Sequence, residues 1–474
     1  MNARRTRVVD SFLTIVALVV LAWPAWSVGQ TFTSGSTGAD GPFNPPTTVP
    51  PGTTVTGSIV TVPLPPTGIY NFTTITIPAG VTVTFTKNAA NTPGILLAQG
   101  AVTLNGTLDV SGGSAGPLGR PGAGGPGGFD GGVGADGITT GVGGSGLGPG
   151  GGGGGGVNQN CGGGGGYTTA GSPGCGNAPG AAGPAYGTPA LQPILGGSGG
   201  GGAGGAIGNY SGGGGGGGGG ALLLASSTSI TLGTSSSSVV LRANGGAGSN
   251  GQGSSGPIAF DSGGGGSGGA IRLIAPTLTG VGQLVAQGGA GGAAGRIRLE
   301  ASTLTYTGST TPLASTAFPL AVFPPAGQPT LTIASIGGIA APAMPSGSFL
   351  AAPDVLLPVG TTNPVPVVLT AGNIPLGTTI QVTATPQSGS KTSALSSGLA
   401  GTLASSTATA NISLNLTQTS VLTATATFPL VASAGSGPIY ADGEEVTHIK
   451  VAAVLGGGSS LTYITRSGRE VRIQ

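Results

Sequence analysis

Gly94-Ile95-Leu96-Leu97-Ala98 leads to Val102-Thr103-Leu104-Asn105-Gly106 and then to Leu108-Asp109-Val110-Ser111-Gly112-Gly113. These are three strand-sized pieces in roughly two dozen residues, alternating apolar with small polar side chains. The same order returns in Gly220-Ala221-Leu222-Leu223-Leu224-Ala225, Ile230-Thr231-Leu232-Gly233 and Val240-Leu241-Arg242-Ala243-Asn244-Gly245-Gly246. It returns again in Gly269-Ala270-Ile271-Arg272-Leu273-Ile274-Ala275, Leu278-Thr279-Gly280 and Leu284-Val285-Ala286-Gln287-Gly288-Gly289. A partial copy, Gly295-Arg296-Ile297-Arg298-Leu299-Glu300-Ala301 with Leu304-Thr305-Tyr306-Thr307-Gly308, closes the series. Each copy reads as one circuit of a three-sided parallel β-solenoid, whose apolar face is buried only by stacking on its neighbours. A β-sandwich of the same strands is the competing arrangement. Colinear copies and the lack of two-residue hairpin turns favour the solenoid.

Strand-like sequence extends upstream to Thr53, through Asn71-Phe72-Thr73-Thr74-Ile75-Thr76-Ile77, a Pro78-Ala79-Gly80 turn and Val81-Thr82-Val83-Thr84-Phe85, so the solenoid is expected over 53–310. Residues 28–52, rich in Gly, Pro, Thr and Ser, read as a linker. Before them stand Arg4-Arg5-Thr6-Arg7, an apolar run from Phe12 to Ala22, the Pro24 break and Ala25-Trp26-Ser27. That is the layout of a secretory signal peptide, 1–27, with cleavage after Ser27 or, nearly as well placed, after Gly29. The apolar run is about half the ~20 residues that a spanning helix needs, and no other segment spans a membrane.

Between the first and second copies lies a glycine-rich insertion, 111–220, with unbroken runs at Gly150–Gly156 and Gly212–Gly220. No conventional core forms from such a composition. Two readings stand: a disordered excursion, or a packed bundle of polyglycine II helices, where the missing Cβ lets backbones approach and bond to one another. Collagen is excluded, because its triple helix needs glycine at every third position and these runs break that period. Cys161 and Cys175, the two cysteines of the chain, both fall here and in an exported protein read as one disulfide. A metal site is the alternative, with no histidine or carboxylate nearby to complete it.

After Thr307 glycine falls and proline and threonine rise. Residues 311–328 read as a second linker, and 329–434 carry about six alternating strands, the pattern of an immunoglobulin-like β-sandwich without the cysteines and tryptophan of antibody domains. The tail, 435–474, reads as a charged β-hairpin. The fold class is therefore all-β: a parallel β-helix (solenoid) with a long glycine-rich insertion, followed by an immunoglobulin-like β-sandwich.

Among 474 residues there are 103 glycines, 14 basic and 12 acidic side chains. Removing 1–27 takes away Arg4, Arg5, Arg7 and Asp10 and leaves 11 of each sign. A neutral, charge-poor surface releases few counterions, which argues against nucleic-acid partners and electrostatic membrane docking. Both tryptophans, Trp23 and Trp26, lie in the expected signal, so a tryptophan stacking site for sugars or cations is not expected in the mature chain.

Catalytic constellations are sparse, and no enzyme activity or cofactor is expected. His448, the one histidine, reads as an exposed strand residue in Val446-Thr447-His448-Ile449-Lys450-Val451, and no nucleophile elbow accompanies it. Glu444-Glu445 follow a turn-forming Asp442-Gly443 and point to opposite faces of a strand. Arg272 and Arg298 occupy equivalent repeat positions, with Glu300 on the same face as Arg298, and read as an exposed ion pair. Gly131-Gly132-Val133-Gly134-Ala135-Asp136-Gly137-Ile138-Thr139 fits one nine-residue calcium-roll repeat, which makes Asp136 a candidate calcium ligand, but the flanking nonapeptides lack the Asp. Thr-x-Thr occurs at Thr74/Thr76, Thr82/Thr84, Thr277/Thr279 and Thr303/Thr305. Stacked pairs would form a flat hydroxyl face, although they are not expected at one repeat position throughout.

The repeat with its glycine sprays resembles large glycine-rich exported bacterial surface proteins with parallel β-helix stalks, over about residues 53 to 308. The resemblance implies a secreted, extracellular or cell-surface structural or adhesive role, with a protein or polysaccharide surface as partner. It identifies no site residue, and the sequence departs from autotransporter adhesins and wall-anchored proteins in showing neither a C-terminal barrel pattern nor a wall-sorting pattern. The Thr-x-Thr pairs resemble ice-binding β-helices, and glycine-helix bundles resemble a known antifreeze architecture. A secreted ice- or calcium-binding solenoid is thus the alternative, followed by a polysaccharide-degrading β-helix enzyme.

Overall fold

The computed structural model describes residues 32–136, 141–158, 160–205, 211–253, 256–258, 262–323, 328–343, 345–430, 440–441, 444–453 and 459–472. The chain divides into Met1–Phe32 and Thr33–Gln474, and the described residues lie almost entirely in the second unit. The expected signal peptide and its cleavage site fall outside them. Among the described residues the fold is all-β, without an α-helix.

The N-terminal part begins with β1 (Thr54–Thr56) and β2 (Ile59–Pro63), an antiparallel pair. Five courses follow, each touching three sheet positions. They are β3 (Ile69–Phe72), β4 (Ile75–Ile77) and β5 (Thr82–Thr86); then β6 (Gly94–Ala98), β7 (Val102–Leu104) and β8 (Thr107–Asp109). The third is β9 (Ala221–Ser226), β10 (Ser229–Leu232) and β11 (Val239–Arg242). After a short antiparallel pair, β12 (Gly251–Gly253) and β13 (Gly256–Ile258), the fourth course is β14 (Ala270–Gly280) and β15 (Gln283–Val285), and the fifth is β16 (Arg296–Leu304) and β17 (Thr310–Thr311). β18 (Ser315–Ala317) pairs with β16.

Pairing between courses is parallel and in register. Tyr70, Leu96, Leu224, Leu273 and Leu299 stand in one column. Ile75, Val102, Ile230, Leu278 and Leu304 form another, and Val83, Leu108, Leu241 and Leu284 a third. The alternation seen in the sequence is the cause: in Thr82–Thr86 the inward Val83 and Phe85 are buried, while the threonines between them are not. Apart from the exposed Leu304, the columns meet in one continuous apolar core, and each fully buried Leu or Ile contributes roughly 1.5–3 kcal/mol.

The segment expected as a linker at 28–52 is, in its described part, a cap. Phe43 is buried, stacks on Phe72 with centroids 5.0 Å apart, and its backbone bridges to Ile75. It covers the open end of the first course, where an apolar edge would otherwise meet water.

At one corner of the stack the chain leaves the courses and returns: after β8 until Gly220, after β11 until Gly269, and briefly after β15 until Gly295. These excursions are packed rods. In residues 197–205 the amides of Gly197, Gly200 and Ala203 donate to Gly219, Gly216 and Gly213. Those of Gly199, Gly202 and Gly205 donate to Leu147, Gly144 and Gly141, and those of Gly201 and Gly204 to Gly163 and Asn160. The carbonyls of the same residues accept from three further rods, around Phe129–Ala135, Gly152–Asn158 and Gly264–Ser267. Partners recur every third residue, the period of a three-residue-per-turn extended helix without internal hydrogen bonds. The rod at 197–205 thus sits among six neighbours. Of the two readings of the glycine tract, the packed bundle is the one found in the described residues. Glycine is required by close approach: a Cβ at Gly200 would stand 2.1 Å from the Gly264 carbonyl oxygen, and one at Gly201 1.9 Å from that of Gly153.

The C-terminal part consists of two antiparallel sheets around a second core. One holds β19 (Thr330–Ile336), β20 (Ile339–Ala340), β21 (Val365–Gly372), β24 (Ala400–Gly401) and β25 (Ser406–Ile412). The other holds β22 (Ile380–Pro386), β23 (Thr392–Leu395), β26 (Ser420–Pro429), β28 (Glu444–Ala453), β29 (Ser459–Thr465) and β30 (Glu470–Arg472), with β27 (Tyr440–Ala441) beside β28. The hairpin expected of the tail is present, as β28 pairs with β29, but it is not set apart from the sandwich strands. β28 pairs with β26 from Thr425 to Pro429, so the tail strands continue the sheet. This part also touches the bundle: Phe349 and Val421 pack with Phe129 and Leu147, and the Ser348 hydroxyl donates to Asp130.

Candidate functional site

The feature most regular enough to present a surface is the outward side of the second strand of each course. Alternation sends Ile75, Ile77, Val102, Leu104, Ile230, Leu232 and Leu278 inward, which leaves the residues between them outside. Register then aligns Thr76, Thr103, Thr231 and Thr279 in one column. Two residues before these along the strands, Ser229, Thr277 and Thr303 align in a second. Strands sit about 4.8 Å apart, and residues i and i+2 about 6.6 Å apart, so the two columns repeat at regular spacings. The Thr279 hydroxyl bonds to that of Thr231 at 3.3 Å, and no charged side chain stands in either column.

Thr82 and Thr84 stand on β5, in register with Thr107 and Asp109, so the threonine pairs do not all share one repeat position, as the sequence pattern implies, yet the second strands bring four threonines to one column. The second and third courses carry one member of each pair as Ala101 and Ser229, so the Thr-x-Thr motif lapses while the column persists.

Arg272, Arg298 and Glu300 share a face as expected, but they are not an exposed ion pair. Arg272 and Glu300 are each 0% exposed. Arg272 Nε and Nη2 reach the two Glu300 oxygens at 2.9 and 3.2 Å, and Arg298 Nε lies 2.7 Å from Oε1. The expected linker at 311–328 supplies the cover: Ala321 and Val322 carbonyls accept from Arg272, and the Leu320 amide donates to Glu300. The bundle closes the other side, where Pro189 O accepts from Arg298 and Gly187 O from Arg296. Burial lowers the pKa of Arg296 against the opposing influence of Tyr167 and Tyr186. The cluster is a clasp joining three distant stretches of chain.

The remaining candidates are dispersed. Cys161 and Cys175 form a disulfide that ties neighbouring rods, beside a Cys161 N to Cys175 O hydrogen bond of 3.0 Å. Asp136 is exposed at a rod end, and Gly137, Ile138 and Thr139 of the calcium-roll match lie outside the described residues. Among the described residues no three His, Cys, Asp or Glu side chains gather as a metal site. His448 is half-buried on β28 with Nδ1 3.0 Å from the Thr447 hydroxyl. Glu445 pairs with Arg466 at 2.8 Å and Glu444 with Arg469 at 3.7 Å, while Asp442 and Gly443 lie outside the described residues. The Ser467 hydroxyl, then Thr465 and Arg469, hold the Glu444 carboxyl below its ordinary range.

Among the described residues no helix is long and apolar enough to cross a membrane. Compared with protein-family models, with curated proteins and with solved structures, the chain matches none.

Proposed function

We propose that this protein is an exported, non-catalytic structural or adhesive component of the cell surface or extracellular matrix, a parallel β-helix carrying a glycine bundle and an immunoglobulin-like module. The observation that supports this most is the continuity of the hydrogen-bonded lattice. Strand ladders run directly into rods at Val110, Gly112, Ala243 and Gly269, so the β-stack and bundle share one bonded framework. Bending such a framework breaks many bonds at once, a property suited to holding a contact surface against an extracellular protein or polysaccharide. External protease treatment of intact producing cells, followed by mass spectrometry of peptides from both parts, tests the reading. Cell-retained, protease-accessible protein is expected. Recovery solely from the cytoplasm with residues 1–27 still attached would overturn it.

The aligned hydroxyl columns favour a second reading, recognition of an ordered water lattice as in ice-binding β-helices. It predicts thermal hysteresis from purified protein and its loss in a Thr103→Lys, Thr231→Lys variant of unchanged circular dichroism. Absence of hysteresis in the parent protein removes this reading. The calcium variant rests on Asp136 alone and requires calcium-dependent circular dichroism.

A further inference from the structure

We propose that a cavity of about 870 Å³ in the C-terminal part is a binding site for a neutral apolar molecule bearing one hydrogen-bonding group. The cavity lies between β19, the start of β26 and the proline-rich stretch that joins β20 to β21. Its volume falls within the range of pockets that enclose small ligands.

Three observations define the ligand. First, Ile333, Ile336, Leu357 and Leu422 both line the cavity and pack against the second core, so the cavity continues that apolar interior. Second, charge is already spent on holding the walls. Asp354 is the one charged residue of the lining among the described residues, and its two oxygens accept from the Ser346 amide and hydroxyl and from the Gly347 amide. Among the described residues no basic side chain lines the cavity, so a carboxylate or phosphate finds no opposite charge, and an ammonium finds a carboxylate already occupied. Third, the neutral polar groups are unequal. The Gln418 amide is engaged with Ser388 on both its oxygen and its nitrogen, whereas the Ser420 hydroxyl is fully buried and has no partner. Ser420 lines the cavity and lies on the same face of β26 as Leu422 and Ala424. A buried hydroxyl without a partner carries a desolvation penalty, and since no hydrogen bond holds the Ser420 hydroxyl in its buried rotamer, turning it to a ligand hydroxyl or carbonyl in the cavity would relieve that penalty. Leu356, 72% exposed, gives the site an apolar rim.

The test uses the mature chain, the neutral fluorophore N-phenyl-1-naphthylamine as reporter, and displacement by 1-dodecanol, dodecanoate and dodecyltrimethylammonium. One saturable site per chain is expected, with dodecanol displacing the reporter at least about tenfold more effectively than either charged chain. Leu356→Asp at the exposed rim weakens reporter binding at least about tenfold with melting and circular dichroism unchanged. Leu416→Asp, at a second exposed leucine of the lining, serves the same purpose should the first variant fold poorly. Ser420→Ala weakens dodecanol by about fivefold, one net hydrogen bond. Non-saturable binding, equal binding of the three chains, or indifference to both rim variants overturns the proposal. The assay does not depend on where the protein resides, so its outcome is separable from that of the surface-protein reading.

Discussion

The β-stack and the glycine bundle share a corner but are held together by opposite means. In the stack, Leu224 and its column neighbours are ordered because side chains fill the space between sheets. In the bundle, the rod at 197–205 is ordered because seven of its nine residues are glycine and the other two, Ser198 and Ala203, are small: backbones come within bonding distance on six sides, and amides and carbonyls find partners in other rods. One region gains from removing apolar area from water, while the other satisfies backbone polar groups that would be costly to bury alone. Tolerance to mutation follows. A side-chain core absorbs an isosteric exchange, whereas a backbone core absorbs none.

The largest expected effect breaks the bundle. Gly201→Ala places a methyl 1.9 Å from the Gly153 carbonyl, and a loss of more than about 4 kcal/mol is expected, read by denaturant unfolding and by protease nicking within 141–205. The matching change in the stack sharpens the contrast: Leu224→Ala costs roughly 2–5 kcal/mol and Leu224→Met less than about 1.5. Next comes the clasp between the regions. Glu300→Ala leaves two arginines without their carboxylate, Arg272 fully buried and Arg298 nearly so, and is expected to cost about 3–5 kcal/mol, while a combined Arg272→Met, Glu300→Leu exchange costs much less. Equal losses from both would show that the carboxylate is not what the clasp depends on. Removing the disulfide by Cys161→Ser with Cys175→Ser should cost about 3 kcal/mol in the chain-entropy model, with new protease sites confined to the bundle.

The smallest effect is alkaline and belongs to the stack. Burial pushes Tyr306 up to about 12, and its hydroxyl donates to the Gly282 and Ser309 carbonyls. The neutral phenol is the form the fold retains, so its contribution is complete below the ordinary value near 10 and is lost as pH rises from there through 12. Ultraviolet titration should show one tyrosinate fraction rising late, and Tyr306→Phe should remove part of that late fraction.

The stack was legible because its signal is local: Val102-Thr103-Leu104 and Ile230-Thr231-Leu232 show the same alternation wherever they occur. The bundle was not, since nothing near Gly200 in sequence distinguishes a bonded rod from a free chain. Its partners Gly216 and Gly132 lie 16 and 68 residues away. The clasp was misread for the same reason. Arg272 looks outward on its own strand, and the backbone that buries it comes about fifty residues later, in a stretch whose prolines suggested a linker. The cavity depended on how β19, β26 and the stretch after β20 converge, which no local pattern encodes.

The threefold recurrence of partners along 197–205 also governs how such a sequence can change in length. Inserting or deleting three residues in a rod advances it by one full turn and returns every amide to the same neighbour, whereas one or two residues rotate it so that donors face the wrong rods. At the level of the gene, length variation within these tracts is therefore expected to survive selection in steps of nine bases, with other in-frame changes confined to the turns between rods.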